Sequence, residues 1–233
     1  MIPAAALAPL LAAAIAAPAA AAERSYPVTD FDRVQVEGPY ELVLTTGAGS
    51  SARASGSQAA LERVTVEVQG GVLKVHPNRS GWGGYPGADS GPVRILASTR
   101  QLRAATVIGA GTLAVDRVGG LRVDLSISGS GRIAVRRVDA DTLLLGLIGS
   151  GRISAAGAAK QVRATIQGSG DLDAASLAAD DLILNAVTAG TVAIAARRTA
   201  KVKASGSGNV EVSGAAACTV TATGAGRVRC GRS

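Results

Sequence analysis

Residues Ile127–Val135 read ISGSGRIAV. Aliphatic and polar side chains alternate, a Gly-Ser-Gly intervenes, and the alternation resumes. Such a triplet can cradle a phosphate, serve as a flexible linker or turn a chain sharply. Counting separates these readings. Gly109-Ala110-Gly111, Gly129-Ser130-Gly131, Gly149-Ser150-Gly151, Gly168-Ser169-Gly170, Gly206-Ser207-Gly208 and Gly224-Ala225-Gly226 share the pattern, with Thr188-Ala189-Gly190 a degenerate copy. Successive starts lie 20, 20, 19, 20, 18 and 18 residues apart. A fixed period of this size is the signature of a solenoid or array. No Lys-Ser/Thr follows the triplet, so the phosphate-loop reading lacks its lysine. A linker would not repeat in register with flanking hydrophobic residues.

Aligned on the triplet, the copies form columns. Four residues after its start stand Leu113, Ile133, Ile153, Leu172, Val192, Val210 and Val228. Six after stand Val115, Val135, Ala155, Ala174, Ile194, Val212 and Cys230; four before stand Ala105, Leu125, Leu145, Ala164, Leu184, Val202 and Val220. The residues between are mostly Arg, Ser, Thr, Asp and Lys. Period-two alternation on both sides of the triplet predicts two short strands, each with one buried face. Glycines every 20 residues would break a helix, and the leucine-rich-repeat pattern is absent. The prediction is all-β: a parallel β-solenoid, right-handed by the usual crossover preference, with coils of about 20 residues. The glycines are the corners, where positive φ and close backbone packing are needed. The middle Ser or Ala is expected to be small because its column stacks coil on coil.

The first third differs. "FDRVQVEGPYELVLTTG" (31–47) reads as two strands around Glu37-Gly38-Pro39. "LERVTVEVQGGVLKVHP" (61–77) reads as a hairpin turning at Gly70-Gly71, and "PVRILAS" (92–98) as another strand. Between them lies a long Gly/Pro loop, "HPNRSGWGGYPGADSGP" (76–92). An open solenoid end exposes sheet and core, so it needs a cap. The expected organisation is an export signal over 1–22, an N-terminal β cap with the first coils over 23–100, and the repeat solenoid over 101–233.

Composition agrees with a narrow, aromatic-poor interior: aromatics are 2% and glycines number 30 among 233 residues. All five aromatics, Tyr26, Phe31, Tyr40, Trp82 and Tyr85, precede residue 100. Residues 6–22, "ALAPLLAAAIAAPAAAA", resemble the apolar core of a secretory signal, with Ala20-Ala21-Ala22 as its cleavage site, although no Lys or Arg precedes it. No Cys stands at that point for lipid anchoring. Export, to the periplasm or cell surface, is the expectation.

The blocks "FDRVQVEGPYELVLTTG", "VEVQGGVLKV", "PVRILASTRQLRAATVIGAGTLAV", "SGSGRI" and "QGSGDL", in that order, resemble the bacterial family called putative autotransporter adhesin, head GIN domain. The resemblance spans roughly residues 28–230. It implies an exported β-solenoid and carries no catalytic residues with it. "GAGRVRCGRS" (224–233) leaves no room for the membrane barrel of a self-translocating adhesin.

Few residues suggest catalysis, and no cofactor or metal is expected. The single histidine, His76, falls in the long loop by this reading; one His cannot build a His-rich zinc site, and no G-x-S-x-G elbow exists. Solenoid enzymes that cleave polysaccharides need paired carboxylates. Asp139/Asp141 and Asp180/Asp181 occupy similar places in their coils, but Lys160 and Lys201 take those places in the coils that follow. Asp171 shares a column with Arg132 and Arg152. Both patterns predict charge ladders. Cys218 and Cys230 fall in apolar columns of the last coil and should face inward, either bridged or as buried thiols. A bridge there closes a loop of about 13 residues and contributes about 3 kcal/mol.

Residues 101–233 hold 16 Lys/Arg against 9 Asp/Glu and account for the whole net charge of +7. The densest basic pairs, Arg136-Arg137 and Arg197-Arg198, suggest anionic partners: acidic glycan, lipopolysaccharide or another envelope component. Without aromatic residues in the basic half, nucleic acid is not expected. Trp82 and Tyr85 in "GWGGYPG" are candidates for stacking on a sugar. The functional expectation is a non-enzymatic envelope or surface scaffold, adhesin-like. The alternative is a glycan-active lyase or hydrolase. Homo-oligomers through the solenoid ends are a further expectation.

Overall fold

The computed structural model describes residues 22–78 and 92–231. The expected signal segment up to Ala21 and the aromatics Trp82 and Tyr85 therefore lie outside the described residues. In chain order the elements are β1 (Ala22–Tyr26), β2 (Arg33–Glu37), β3 (Glu41–Thr46), β4 (Ser51–Gly56), α1 (Gln58–Glu62), β5 (Val64–Gln69), β6 (Val72–Pro77), β7 (Arg94–Thr99) and β8 (Ala104–Gly109). Then come β9 (Thr112–Gly129), β10 (Arg132–Gly149), β11 (Arg152–Gly168), β12 (Asp171–Thr188), β13 (Thr191–Ser205), β14 (Asn209–Ser213), β15 (Ala217–Thr223) and β16 (Val228–Cys230).

From β9 to β12 each long strand is one lap of a tube, bent midway, and each pairs in parallel with the next. The fold is the parallel β-solenoid expected, with coils about 20 residues apart and about 6 turns. The apolar columns stack as aligned. Leu113 faces Ile133, then Ile153, Leu172, Val192, Val210 and Val228 follow in register. Ala105, Leu125, Leu145, Ala164, Leu184, Val202 and Val220 form the opposing column. All but the last member of each are buried. Burying one Leu, Ile or Val is worth about 1.5–3 kcal/mol, so the stack itself is the source of stability.

The corner triplets are tighter than the columns require. Ser169 donates its backbone N–H to Gly149 O at 2.9 Å. A Cβ on Gly168, where φ is +116°, would lie 2.4 Å from that same oxygen. The crowding falls on the two glycines; the middle residues Ser130, Ser150 and Ser169 are exposed. Their smallness is therefore not a packing requirement, contrary to the reading of the sequence alone.

The other bend carries no fixed triplet. Burial alternates through Ile133 and Val135, then skips to Val138, leaving Arg136 and Arg137 both outward. β11 has one residue fewer there, and its register with β10 shifts between Val135 and Val138, as at a bulge. Outward pairs such as Asp116-Arg117 and Arg136-Arg137 arise from this slip of the two-residue period.

The N-terminal laps are not stacked in chain order. β2 lies between β6 and β8, and β3 between β7 and β9, all in parallel. Glu37-Gly38-Pro39 is thus a corner: Gly38 N–H reaches Ile108 O at 3.0 Å, and Thr112 N–H reaches Tyr40 O at 2.8 Å. The β6–β7 lap lies outside the β2–β3 lap. β5 and β4 pair antiparallel with it, and β1 antiparallel with β4. α1 joins β4 to β5 with Ala60 and Leu61 buried; the Ser57 hydroxyl accepts Ala60 N–H. One sheet runs through both compositional halves, since β2 and β3 pair directly with β8 and β9. His76 belongs to β6, paired opposite Thr65, and not to the loop.

The C-terminal lap is uncovered. Cys218 and Cys230 form a disulfide with Cα atoms 6.1 Å apart. Both stand in their expected columns, opposite Ala200 and Val212. Yet Cys218 is exposed and Cys230 half-buried, because among the described residues no further lap lies over them. Facing the tube axis is burial only when another coil follows.

Candidate functional site

Four aspartates of the solenoid flank, Asp141, Asp171, Asp180 and Asp181, are held by cations of neighbouring laps, while Asp139 makes no ion pair among the described residues. Lys160 lies 2.7 Å from Asp141. Arg152 donates to Asp171 at 2.6 Å, and Arg197 and Arg198 pair with Asp180 and Asp181. Asp181 also accepts from the Thr199 hydroxyl at 2.7 Å. Lys201, expected in this ladder, falls opposite Ile183 and takes no part. The Asp171 carboxyl is held below the usual carboxylate range, first by the backbone N–H of Thr191 and then by Arg152. The Lys160 ammonium is held above its usual value by its hydrogen bond to Asp141. These are exposed pairs, which water and salt screen, and each adds little to stability.

The two basic pairs singled out in the sequence therefore differ. Arg197 and Arg198 are neutralised by Asp180 and Asp181. Arg136 and Arg137, at the midway bend of β10, make no ion pair among the described residues. They line an open groove of about 630 Å³ with Arg117, Arg100, Asp116, Thr46 and Gly47. Arg137 lies directly beside Arg117 of the preceding lap. Asp116 is turned to the backbone: one carboxylate oxygen accepts Thr46 N–H at 2.9 Å, the Thr46 hydroxyl at 3.0 Å and Arg117 N–H at 2.6 Å. Arg100 makes a long exposed pair with Asp30 at 3.7 Å. Arg100, Gly47 and Thr46 come from laps that sequence order does not place beside Arg117, so the groove has no linear motif.

A smaller groove of about 230 Å³ lies over the first laps. It is lined by Gln35, Glu37, Glu67, Lys74, Val75 and His76. Lys74 stands between Gln35 of β2 and Glu67 of β5, and His76 Nε2 is 3.6 Å from Glu67. Among the described residues no group of three or more His, Cys, Asp and Glu is placed to hold a metal ion.

The family model described as "Putative auto-transporter adhesin, head GIN domain" matches residues 30–216. The chain belongs to this family. Among solved structures, a putative adhesin from Bacteroides fragilis is similar with a TM-score of 0.81 at 16% identity, covering 90% of this chain and 96% of that one. A putative lipid binding protein from Parabacteroides distasonis gives 0.70 at 18%, covering 89% and 95%. A putative adhesin from the same species gives 0.65 at 21%, covering 90% and 96%. At these identities the likeness is one of fold. No curated protein matches the chain. The GIN-domain chain thus shares its solenoid fold with structures described as putative adhesins and a putative lipid binding protein.

Proposed function

We propose that this GIN-domain chain is an exported, non-enzymatic binding scaffold of the bacterial envelope, adhesin-like in use, with anionic envelope components as partners. One observation carries the reading. A glycoside hydrolase needs a pair of carboxylates free to act on the substrate, whereas Asp141, Asp171, Asp180 and Asp181 are each joined to a Lys or Arg of an adjacent lap. Carboxylates so paired stiffen a surface; they do not stand ready to exchange protons with a substrate. The disulfide supports export, because such bonds persist in oxidising compartments. The descriptions of the related solenoids, adhesin and lipid binding, agree in kind.

The test is an array of glycans and lipopolysaccharides probed with the purified chain beginning at Glu23. Binding is expected, and its loss in a Trp82→Ala/Tyr85→Ala variant assigns recognition to those two aromatic side chains. A blank array rejects the reading. A glycan-active enzyme is the second reading, and the groove holding Glu37, Glu67 and His76 is where it would act. Release of new reducing ends from an acidic polysaccharide, lost in Glu67→Gln, would favour it over the scaffold.

A further inference from the structure

We propose that the groove formed by Arg100, Arg117, Arg136 and Arg137 is a binding site for a phosphomonoester group, as carried by a lipid headgroup or a phosphorylated sugar. The inference rests on the scaffold reading and names the chemistry one part of that scaffold would recognise.

The argument begins with charge. Four guanidinium groups and one carboxylate line the groove. The carboxylate, on Asp116, spends one oxygen on Thr46 and on its own neighbour's backbone. Arg117, Arg136 and Arg137 are left without an acidic partner among the described residues. Of the other solenoid arginines, Arg152, Arg197 and Arg198 each meet an aspartate one lap away. Three unpaired arginines held together repel one another unless an anion joins them.

Shape comes next. Laps are about 4.8 Å apart. Gly47 occupies the bend of the lap between Arg100 and Arg117, and a Cβ there would meet nothing within 4 Å. The glycine therefore leaves a notch in an edge otherwise set with long side chains. Its φ of +90° suits Gly and few others. Past Arg137 the edge falls away again: where β10 carries Arg136-Arg137 between Val135 and Val138, β11 has only Ala156 between Ala155 and Gly157. The basic patch is bounded on the C-terminal side by residues with little or no side chain.

Chemistry selects the anion. A guanidinium presents a planar fork of N–H donors, which matches carboxylate and phosphate oxygens in pairs. One fork satisfies a carboxylate. A phosphomonoester carries about −1.5 to −2 charges and three acceptor oxygens, so it can engage three forks together. Among the described residues no aromatic side chain lines the groove, which disfavours recognition of a nucleobase.

The experiment uses the intact protein at physiological salt and two probes: phosphatidic acid vesicles, against phosphatidylcholine vesicles, and glucose 1-phosphate, against glucose. Inorganic phosphate serves as competitor. Two variants are compared, Arg136→Ala/Arg137→Ala and Arg197→Ala/Arg198→Ala. Each removes two positive charges from the +7 total, and all four side chains are exposed, so folding should survive. Binding that inorganic phosphate displaces is expected. It should fall about tenfold or more in the first variant, as for lost charge-assisted hydrogen bonds, and less than about twofold in the second. Binding to vesicles alone identifies a lipid headgroup as the source; binding of the sugar phosphate as well shows that the phosphate suffices. Equal losses in both variants would mean net charge alone is sensed and overturn the site. So would the absence of binding to either probe. If the probes fail while the glycan and lipopolysaccharide array still responds, this inference falls and the scaffold reading stands; a blank array with phosphate binding intact has the reverse meaning.

Discussion

Arg152 of one lap donates to Asp171 of the next, Nη2 to Oδ2 at 2.6 Å. The other oxygen of Asp171 accepts the backbone N–H of Thr191, one lap further on, at 2.9 Å. A single carboxylate thus ties three successive coils together at their outer surface. The ionised form is what both partners favour, so the carboxyl titrates below its usual range in the folded protein. The sign of the linkage follows. A depressed folded pKa contributes stability above the unfolded value, and that contribution is lost as pH falls through the folded value. Denaturant unfolding of the native chain and of Asp171→Asn should therefore differ at pH 6 and converge towards pH 2–3. A gap that does not change with pH would show that the bond adds nothing electrostatic.

Gly168→Ala should be far more damaging than its small volume suggests. The residue sits at positive φ, and the added carbon would meet Gly149 O at 2.4 Å. Positive-φ strain alone costs on the order of 1–3 kcal/mol, and the backbone clash adds to it. Ser169→Ala, one position on and exposed, should change stability by less than about 0.5 kcal/mol. Thermal melts of both variants check this; similar melting temperatures would mean the corner can shift without cost.

Reducing the disulfide, or making Cys218→Ser/Cys230→Ser, should loosen the last lap before the rest. Closing a loop of about 13 residues stabilises it by about 3 kcal/mol, and that lap has a neighbour on one side only. Faster hydrogen exchange confined to Asn209–Cys230 is the expected result. The loosened strand edge, with Val220 at 42% exposure, should also promote self-association, which sedimentation can read. Uniform exchange across the whole chain would show that the laps unfold as one unit.

Tyr26→Phe should stabilise the N-terminal edge. The Tyr26 hydroxyl is buried and makes no hydrogen bond, and burial raises its pKa while Arg24 lowers it. Removing an unsatisfied buried hydroxyl is worth about 1 kcal/mol or more. The Arg24 guanidinium, 5.4 Å from the ring centre, can stack on Phe as well. Equal stability of the two proteins across pH 7–11 would mean water already satisfies that oxygen. Otherwise the native chain should lose ground above pH 10, where a raised folded pKa favours the unfolded phenolate.

How far the sequence could be read depended on how local the signal was. Leu113, Ile133 and Ile153 announce their stacking because each recurs at a fixed place after a Gly-x-Gly. The short helix Gln58–Glu62 has too few residues for a period to show, although Ser57 three residues before Ala60 is an N-cap signal in retrospect. His76 looked like a loop residue because Pro77 follows it, but Pro77 ends a strand whose partner β5 lies antiparallel beside it. The difference between Arg136-Arg137 and Arg197-Arg198 was not legible at all, since each is the same dipeptide in an outward position.

From the sequence alone came the lap, its length, its inward columns and its glycine corners. These follow from repetition, and a repeat read once is read everywhere, because each coil meets only its neighbours. What only the tertiary structure decided is which laps are neighbours at the N-terminal end, and so which charges meet. The β6–β7 lap packs outside the β2–β3 lap, bringing Arg100 and Gly47 to the edge that carries Arg117 and Arg137. Pairing between strands distant in the chain depends on the sum of many backbone contacts, which no single stretch of residues records.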